Sequence, residues 1–215
     1  MMWSGMADSA IMSQRLVIPV EYFWRNPKQT QPNSAMNRKV TIGIFLVTAL
    51  LLSVPLVAQQ FTQEVNWSVM DFVVMGTLLC GSGLMVQFVA SQSRNAAYKL
   101  GVLMAVGTGL FLIWINLAVG LIGNEDNPAN LMYSTVILIG LVGGISAGFK
   151  PLGMSYALFA TAGAQFLVPF IAMMIWHPPV DDGLYKIIVL NTNIAIFFAG
   201  SAILFRRASH AQDRT

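Results

Sequence analysis

Six apolar stretches divide this chain, each long enough to cross a bilayer as a helix, and the charges in the gaps between them alternate in sign. A spanning helix takes about 20 mostly apolar residues at ~1.5 Å rise each. The stretches are Val40 to Gln59, Val69 to Ala90, Leu100 to Ile122, Pro128 to Phe149, Met154 to Trp176 and Leu184 to Phe205. Of the twelve Lys and Arg residues, Arg15, Arg25, Lys28, Arg38 and Lys39 precede the first stretch. Arg94 and Lys99 follow the second, Lys150 follows the fourth, and Arg206, Arg207 and Arg214 follow the sixth. The other gaps carry Glu64, with Asp71 just inside the start of the second stretch, then Glu125 and Asp126, then Asp181 and Asp182. Basic loop residues are retained on the cytoplasmic side during insertion. The pattern therefore predicts an all-α, polytopic transmembrane helix bundle of six spans, with both termini cytoplasmic and three acidic loops outside. Lys186 breaks the alternation, and from one turn inside a helix it can snorkel toward Asp182 or the headgroups.

Composition agrees. With 56% hydrophobic and 10% charged residues over 215 positions, against about 25% charged in a soluble domain, the chain has too few polar groups to cover a water-facing globule. The lipid bilayer is the solvent it fits. The net charge of +3 comes from bases at the ends of apolar runs rather than along one face, so nucleic acid is not a partner it indicates. Cys80 is the lone cysteine and lies within an apolar run, which excludes an intrachain disulfide.

Local chemistry marks several helix ends. Ser68 with Asp71 three positions on has capping-box spacing, and Trp67 beside it is an interfacial anchor. Asn127 before Pro128 reads as an N-cap with proline at the first helical position, which starts the fourth helix there. Pro151 is expected to close the fourth helix, and Pro178 with Pro179 to break the chain after the fifth. Pro55 and Pro169 fall inside spans, where they are expected to kink the first and fifth helices.

The first stretch also has the layout of a secretory signal: Met36-Asn37-Arg38-Lys39, an apolar run, and Val57-Ala58 at its end. Cleavage would leave five spans, but the uninterrupted run and Leu at position 56 favour retention. The resulting organisation is a cytoplasmic tail over 1–38, disordered or upstream of a true start at Met36, a six-helix domain over 39–207 and a short cytoplasmic tail over 208–215.

Gly140, Gly144 and Gly148 recur every four residues and are expected on one face of the fourth helix. Such seams let helix backbones approach closely in lipid, where apolar side chains gain little by leaving acyl chains. They serve either internal packing or a homo-oligomer. Gly101, Ala105 and Gly109 form a comparable seam on the third helix, and Ala160 with Ala164 a shorter one on the fifth.

Chemistry-bearing residues are few. No Asp or Glu lies deep in a span, which lowers the class of proton relays and ion-coupled carriers. Asn116 and Asn191 fall ~10 to 12 Å below the outer surface by helical rise, near enough in depth to face one another. Gln165 falls near the midplane. These amides either bond between helices or line a permeation or ligand site. The run Asn124-Glu125-Asp126-Asn127-Pro128-Ala129-Asn130 is a capped turn with solvated charges or an oxygen-ligand cation site, although its spacing fits no calcium loop. His177 beside Asp181 and Asp182 is a sparse metal set by zinc standards. His177 and His210 fall on opposite sides, so they cannot clasp one haem, and neither a metal nor a cofactor is assigned. Asn66-Trp67-Ser68 matches a glycosylation acceptor but abuts the membrane.

Val65-Asn66-Trp67 with Asp71-Phe72-Val73-Val74, together with Gly123-Asn124-Glu125-Asp126-Asn127-Pro128-Ala129-Asn130-Leu131-Met132-Tyr133, resembles a group of uncharacterised bacterial inner-membrane proteins over about Lys39 to Arg207. The resemblance implies a bacterial cytoplasmic membrane, a retained first helix and periplasmic acidic loops. It implies no activity. Three functions follow as expectations. The first is a non-catalytic accessory or membrane-stress component with a possible membrane-protein partner, recognising through Trp67, Asp71, Glu125, Asp126, Asn127 and Asn130. The second is an oligomeric channel or transporter lined by Asn116, Gln165 and Asn191. The third is a membrane enzyme or metal-binding protein using Glu125 and Asp126.

Overall fold

The computed structural model describes residues 37–62, 66–123, 126–176 and 182–212. These form six helices: α1 (Arg38–Phe61), α2 (Val69–Ala90), α3 (Ala96–Ala118), α4 (Met132–Ser146), α5 (Pro151–Trp176) and α6 (Asp182–Gln212), with a 3-10 turn (Pro128–Leu131) leading into α4. No strand occurs among the described residues. All six helical segments, the 3-10 turn counted with α4, are long and apolar enough to cross a membrane, and the chain is a multi-pass membrane protein. The 1–36 tail and the loop residues Glu64, Val65, Asn124, Glu125, His177, Pro178, Pro179 and Asp181 lie outside the described residues.

Helix ends follow their caps. Ser68 Oγ accepts from the Asp71 amide at 3.3 Å, and Asp71 Oδ2 accepts from the Ser68 amide at 2.7 Å, completing the capping box of α2. Asn37 and Asn95 cap α1 and α3 by accepting from the Lys39 and Tyr98 amides. Pro55 and Pro169 lie inside α1 and α5, each of which continues as a helix past its proline.

Several boundaries differ from the sequence reading, among them the start of α3 at Ala96 rather than Leu100 and the end of α6 at Gln212 rather than Phe205. α3 stops at Ala118 rather than Ile122, because Gly120 takes a positive φ of 69° and turns the chain out of the helix. α4 is preceded by a 3-10 turn at Pro128 and ends at Ser146. Gly148 (φ 56°) follows as its left-handed terminator, with the Phe149 amide donating to Gly144 O at 3.2 Å and the Gly148 amide to Ile145 O at 2.9 Å. That is a Schellman closure. Pro151 opens α5, where its missing N–H costs nothing, instead of merely closing α4.

The core is built on α6, which packs most extensively on α5 and then on α3, while α4 lies on α5. Asn191, Ile194, Phe198, Ser201, Phe205 and Ala208 are all buried and advance by alternating steps of three and four. On α5, Met154, Leu158, Thr161, Gln165, Val168 and Ala172 do the same. This alternation is that of a left-handed coiled-coil seam. Close approach comes from small residues. A Cβ on Gly101 would stand 3.1 Å from the Phe205 ring, and one on Gly200 would stand 2.8 Å from Met104 Cε. Ser201 Oγ donates to Gly101 O at 2.7 Å, pinning α6 to α3. Tyr98 meets Phe205 edge to face at 5.0 Å.

The Gly140 and Gly144 face is filled within the chain. A Cβ on Gly140 would stand 3.2 Å from Thr161 Oγ1, one on Gly143 2.7 Å from Ala157 Cβ, and one on Gly144 3.3 Å from Met154 Sδ. The seam is therefore the α4–α5 interface. Gly148 does not share it: lying past the helix end, it would meet nothing within 4 Å. The Ala160 with Ala164 seam is also revised, since Ala160 is exposed and Ala157 makes the close contact instead.

α1 sits at the edge and packs on α2. Gly76, Cys80, Gly83 and Gln87 form the receiving stripe on α2. A Cβ on Gly83 would stand 2.6 Å from Ile44 Cγ2, and Cys80 Sγ donates to Thr48 Oγ1 at 3.5 Å. Gln87 holds the start of α1: its Nε2 donates to Asn37 O at 3.0 Å, and its Oε1 accepts from the Thr41 hydroxyl at 3.1 Å.

Candidate functional site: a buried polar cluster

The side-chain amides Asn116, Gln165 and Asn191 lie toward the acidic-loop end of the bundle, whereas Gln87, Ser155 and Ser201 lie toward the basic end. Gln165 stands fourteen residues into α5, and Asn191 nine into α6. Both are at 0% exposure, and Gln165 Nε2 donates to Asn191 Oδ1 at 2.8 Å. Asn191 Nδ2 in turn donates to Ile187 O at 2.8 Å on its own helix. A buried amide without a partner costs ~1 to 3 kcal/mol, so pairing across the interface keeps the two helices in one register. Asn193 points elsewhere, exposed and bonded back to Val189 O at 2.8 Å.

Asn130 is a structural clamp. Its side chain is 5% exposed, and Oδ1 accepts from the amides of both Leu121 (3.0 Å) and Ile122 (2.9 Å). It thereby satisfies backbone donors that became orphans when α3 ended early. Asn116 Nδ2 reaches the Asn130 carbonyl at 3.4 Å. Asn127 caps the 3-10 turn through the Ala129 amide at 3.0 Å. Gly123 passes so close that a Cβ there would stand 2.9 Å from Asn127 Nδ2, and its φ of 74° suits glycine. Asp126 is exposed.

The remaining sequence-derived positions separate from this cluster. Asp71 is exposed and its Oδ2 is engaged by Ser68 in the α2 cap. Trp67 is half-buried, edge to face with Phe72 at 5.3 Å. Glu125 lies outside the described residues. Asn116 and Asn191, expected at matching depth, bond to different partners rather than to each other. Among the described residues no group of three His, Cys, Asp or Glu side chains converges to hold a metal.

Sequence reasoning missed Tyr133. It is buried at 2% exposure one helical turn after Asn130, with its hydroxyl beside the Asn191 side chain but without standard hydrogen-bond geometry. Its signal was available: a tyrosine five residues after the expected helix start at Pro128 and three after Asn130, on the same face as Asn130. Three buried atoms in this region lack a hydrogen-bond partner: Asn116 Oδ1, Tyr133 OH and Gln165 Oε1. Chemically, the arrangement offers neutral donors and acceptors and no ionised group.

No family model, no curated protein and no solved structure matches this chain.

Proposed function

We propose that this protein is a non-catalytic accessory component of a bacterial cytoplasmic membrane, threaded with both termini on the cytoplasmic side and with α1 retained. One observation carries the reading: most intramembrane polar side chains bond within the bundle, with Gln165 and Asn191 bonded together at 0% exposure, Ser201 held by the Gly101 carbonyl and Asn130 committed to a loop backbone. Such pairing fixes helix register rather than offering a path or a reactive group. The fit of Ile44, Thr48 and Gln87 at the α1–α2 contact supports retention of the first helix. Two measurements test this. Purification from native membranes is expected to yield a stoichiometric companion protein. Reporter fusions are expected to place the turn at Asp126 opposite Arg94, and the same compartment for both sinks the threading.

A second reading, passage of a small polar solute or ion through an oligomer, is favoured by the three orphaned atoms, Asn116 Oδ1, Tyr133 OH and Gln165 Oε1. Polar groups so placed cost free energy until a partner satisfies them. Liposome flux that disappears with Asn116→Ala or Asn191→Leu would establish this reading over the first. Absence of flux in the wild type would remove it.

A further inference from the structure

α2 leans on α3 and α4 leans on α5, while α4 touches α3 only sparingly. The wedge between α2 and α4 is consequently open to the side, with Leu158, Thr161 and Phe198 at its base. It holds about 390 Å³ and is walled almost wholly by hydrocarbon. Its rim residues Phe88, Leu141 and Ile145 are 47%, 38% and 66% exposed, so the space faces the surrounding bilayer rather than an aqueous chamber.

Its length and its ends define what fits. Along α2 the wall runs from Thr77 to Val89, and along α3 from Val102 to Ile113, rises of ~18 and ~16 Å. That is about half of a ~30 Å hydrocarbon core, the depth of one leaflet's acyl chains. The groove stops at the basic end of the bundle, where the Phe88 and Phe149 rings meet edge to face at 5.8 Å. There the Tyr98 hydroxyl donates to Phe149 O at 2.7 Å, and the residues next in sequence, Lys99 and Lys150, follow at the same end of the bundle. Arg94 lies in the turn between α2 and α3, and all three are exposed. No Asp or Glu occurs from Phe72 to Asn124 or from Asn127 to Val180, so nothing in these segments offsets that charge. Phe149 holds a positive φ of 58°, a conformation that is strained for a non-glycine residue and persists only where its surroundings hold it. Here the Tyr98 bond and the Phe88 ring do so.

We propose that this groove is a binding site for an anionic phospholipid of the basic-side leaflet, with one acyl chain lying between α2 and α4 and the phosphate among Arg94, Lys99 and Lys150. Leaflet-length hydrocarbon, a lateral opening and an uncompensated basic mouth are complementary to that molecule. They do not match a spanning partner helix, which would need a groove about twice as long.

The test uses the full chain in phosphatidylcholine vesicles doped with phosphatidylglycerol that carries a photoreactive acyl chain. Cross-links are expected on peptides containing Met85 and Ile137, which line the groove. They should be several-fold denser there than on the outward α1 residues Phe45 and Leu46, which are 53% and 66% exposed. Gly81→Leu fills the groove, where a Cβ would meet nothing within 4 Å, and Gly109→Leu does so from α3, its Cβ meeting only Ile137 Cδ1 at 3.6 Å. Either variant is expected to abolish the groove cross-links while α1 labelling persists. Lys99→Gln with Lys150→Gln, which leaves Arg94 in place, should keep the acyl cross-links. It should lower the preference for phosphatidylglycerol over phosphatidylcholine by about fivefold per residue neutralised. Groove labelling no denser than on α1, or unchanged by both filling variants, overturns the proposal. Equal labelling by the two lipids in the wild-type chain overturns its anionic part. A dimer mass lost in Gly81→Leu, with no lipid cross-link in the wild type, assigns the groove to a second copy and likewise overturns it.

Discussion

The α3–α5–α6 side and the α1–α2 side of this bundle are assembled on the same rule and differ in how many neighbours enforce it. Both use small residues to bring backbones together and a few polar bonds to fix register, as lipid-embedded helices must when hydrophobic burial discriminates little. On the first side α6 is bound by two helices, with Ser201 reaching Gly101 and Asn191 reaching Gln165. On the second, α1 buries only Thr48 and relies on Cys80, Gly83 and Gln87 of a single helix. Damage on the first side is therefore expected to spread through the bundle, and damage on the second to stay with α1.

The largest test of that contrast is Phe205→Ala. Phe205 is wholly buried between α3 and α6 and stacks on Tyr98. Its removal leaves a cavity bounded by both helices, with an expected loss of about 3 kcal/mol. Equilibrium unfolding in mixed micelles should show one shifted transition. A shift no larger than that of an α1 surface variant such as Leu46→Ala would break the comparison.

Next come two matched glycine substitutions. At Gly143 the added side chain meets Ala157 Cβ at 2.7 Å and Ala157 Cα at 3.3 Å, so the α5 backbone itself must give way. Gly143→Leu is expected to cost about 1 to 3 kcal/mol through overpacking. At Gly83 the obstacle is Ile44 Cγ2, a side-chain methyl on a helix with one docking partner. Gly83→Leu should displace α1 alone. Cys80, the lone cysteine, reports on it directly, because it sits half-buried at that contact. Maleimide labelling of Cys80 should accelerate in Gly83→Leu with the unfolding midpoint nearly unchanged, and the reverse pattern should hold in Gly143→Leu.

These contrasts explain why the sequence disclosed the spans and concealed their arrangement. Span number, the α2 capping box and the Asn127 cap were legible because they depend on length and local hydrogen bonding, which residue type reports directly. The packed faces were not, because hydrophobic periodicity has no contrast when every face is apolar. On α6 the two sides mix alike: Asn191 and Ser201 are buried, while Asn193 is exposed together with Ile196, Phe197 and Ile203. Small residues and buried hydroxyls carried the missing information: Gly140 and Gly144 were correctly placed on one face, and only the identity of the neighbour, α5, required the fold. Asn130 shows the converse. It reads as a surface ligand from the loop it follows, and becomes a clamp only because Gly120 ends α3 early enough to leave the Leu121 and Ile122 amides in need of an acceptor.

A smaller effect is expected at Gln87. Gln87→Leu removes two bonds to the start of α1, to Asn37 O and from the Thr41 hydroxyl, together worth about 1 kcal/mol at ~0.6 each. Cys80 labelling should rise modestly, and less than in Gly83→Leu. A larger rise would mean that polar pins rather than glycine packing hold α1.

The finest discrimination lies in the Gln165–Asn191 pair. Each partner alone leaves the other buried and unpaired, so Gln165→Leu and Asn191→Leu should each destabilise more than the double variant suggests. A double-mutant cycle should return a coupling of about 0.6 kcal/mol and not much above 1.7. Because this bond joins α5 to α6 across the most extensive interface of the bundle, its loss should leave Cys80 labelling unchanged. Coupling near zero would mean that the amides act independently, which is the behaviour of a lined path rather than of a register pin. It would move weight from the accessory reading to permeation.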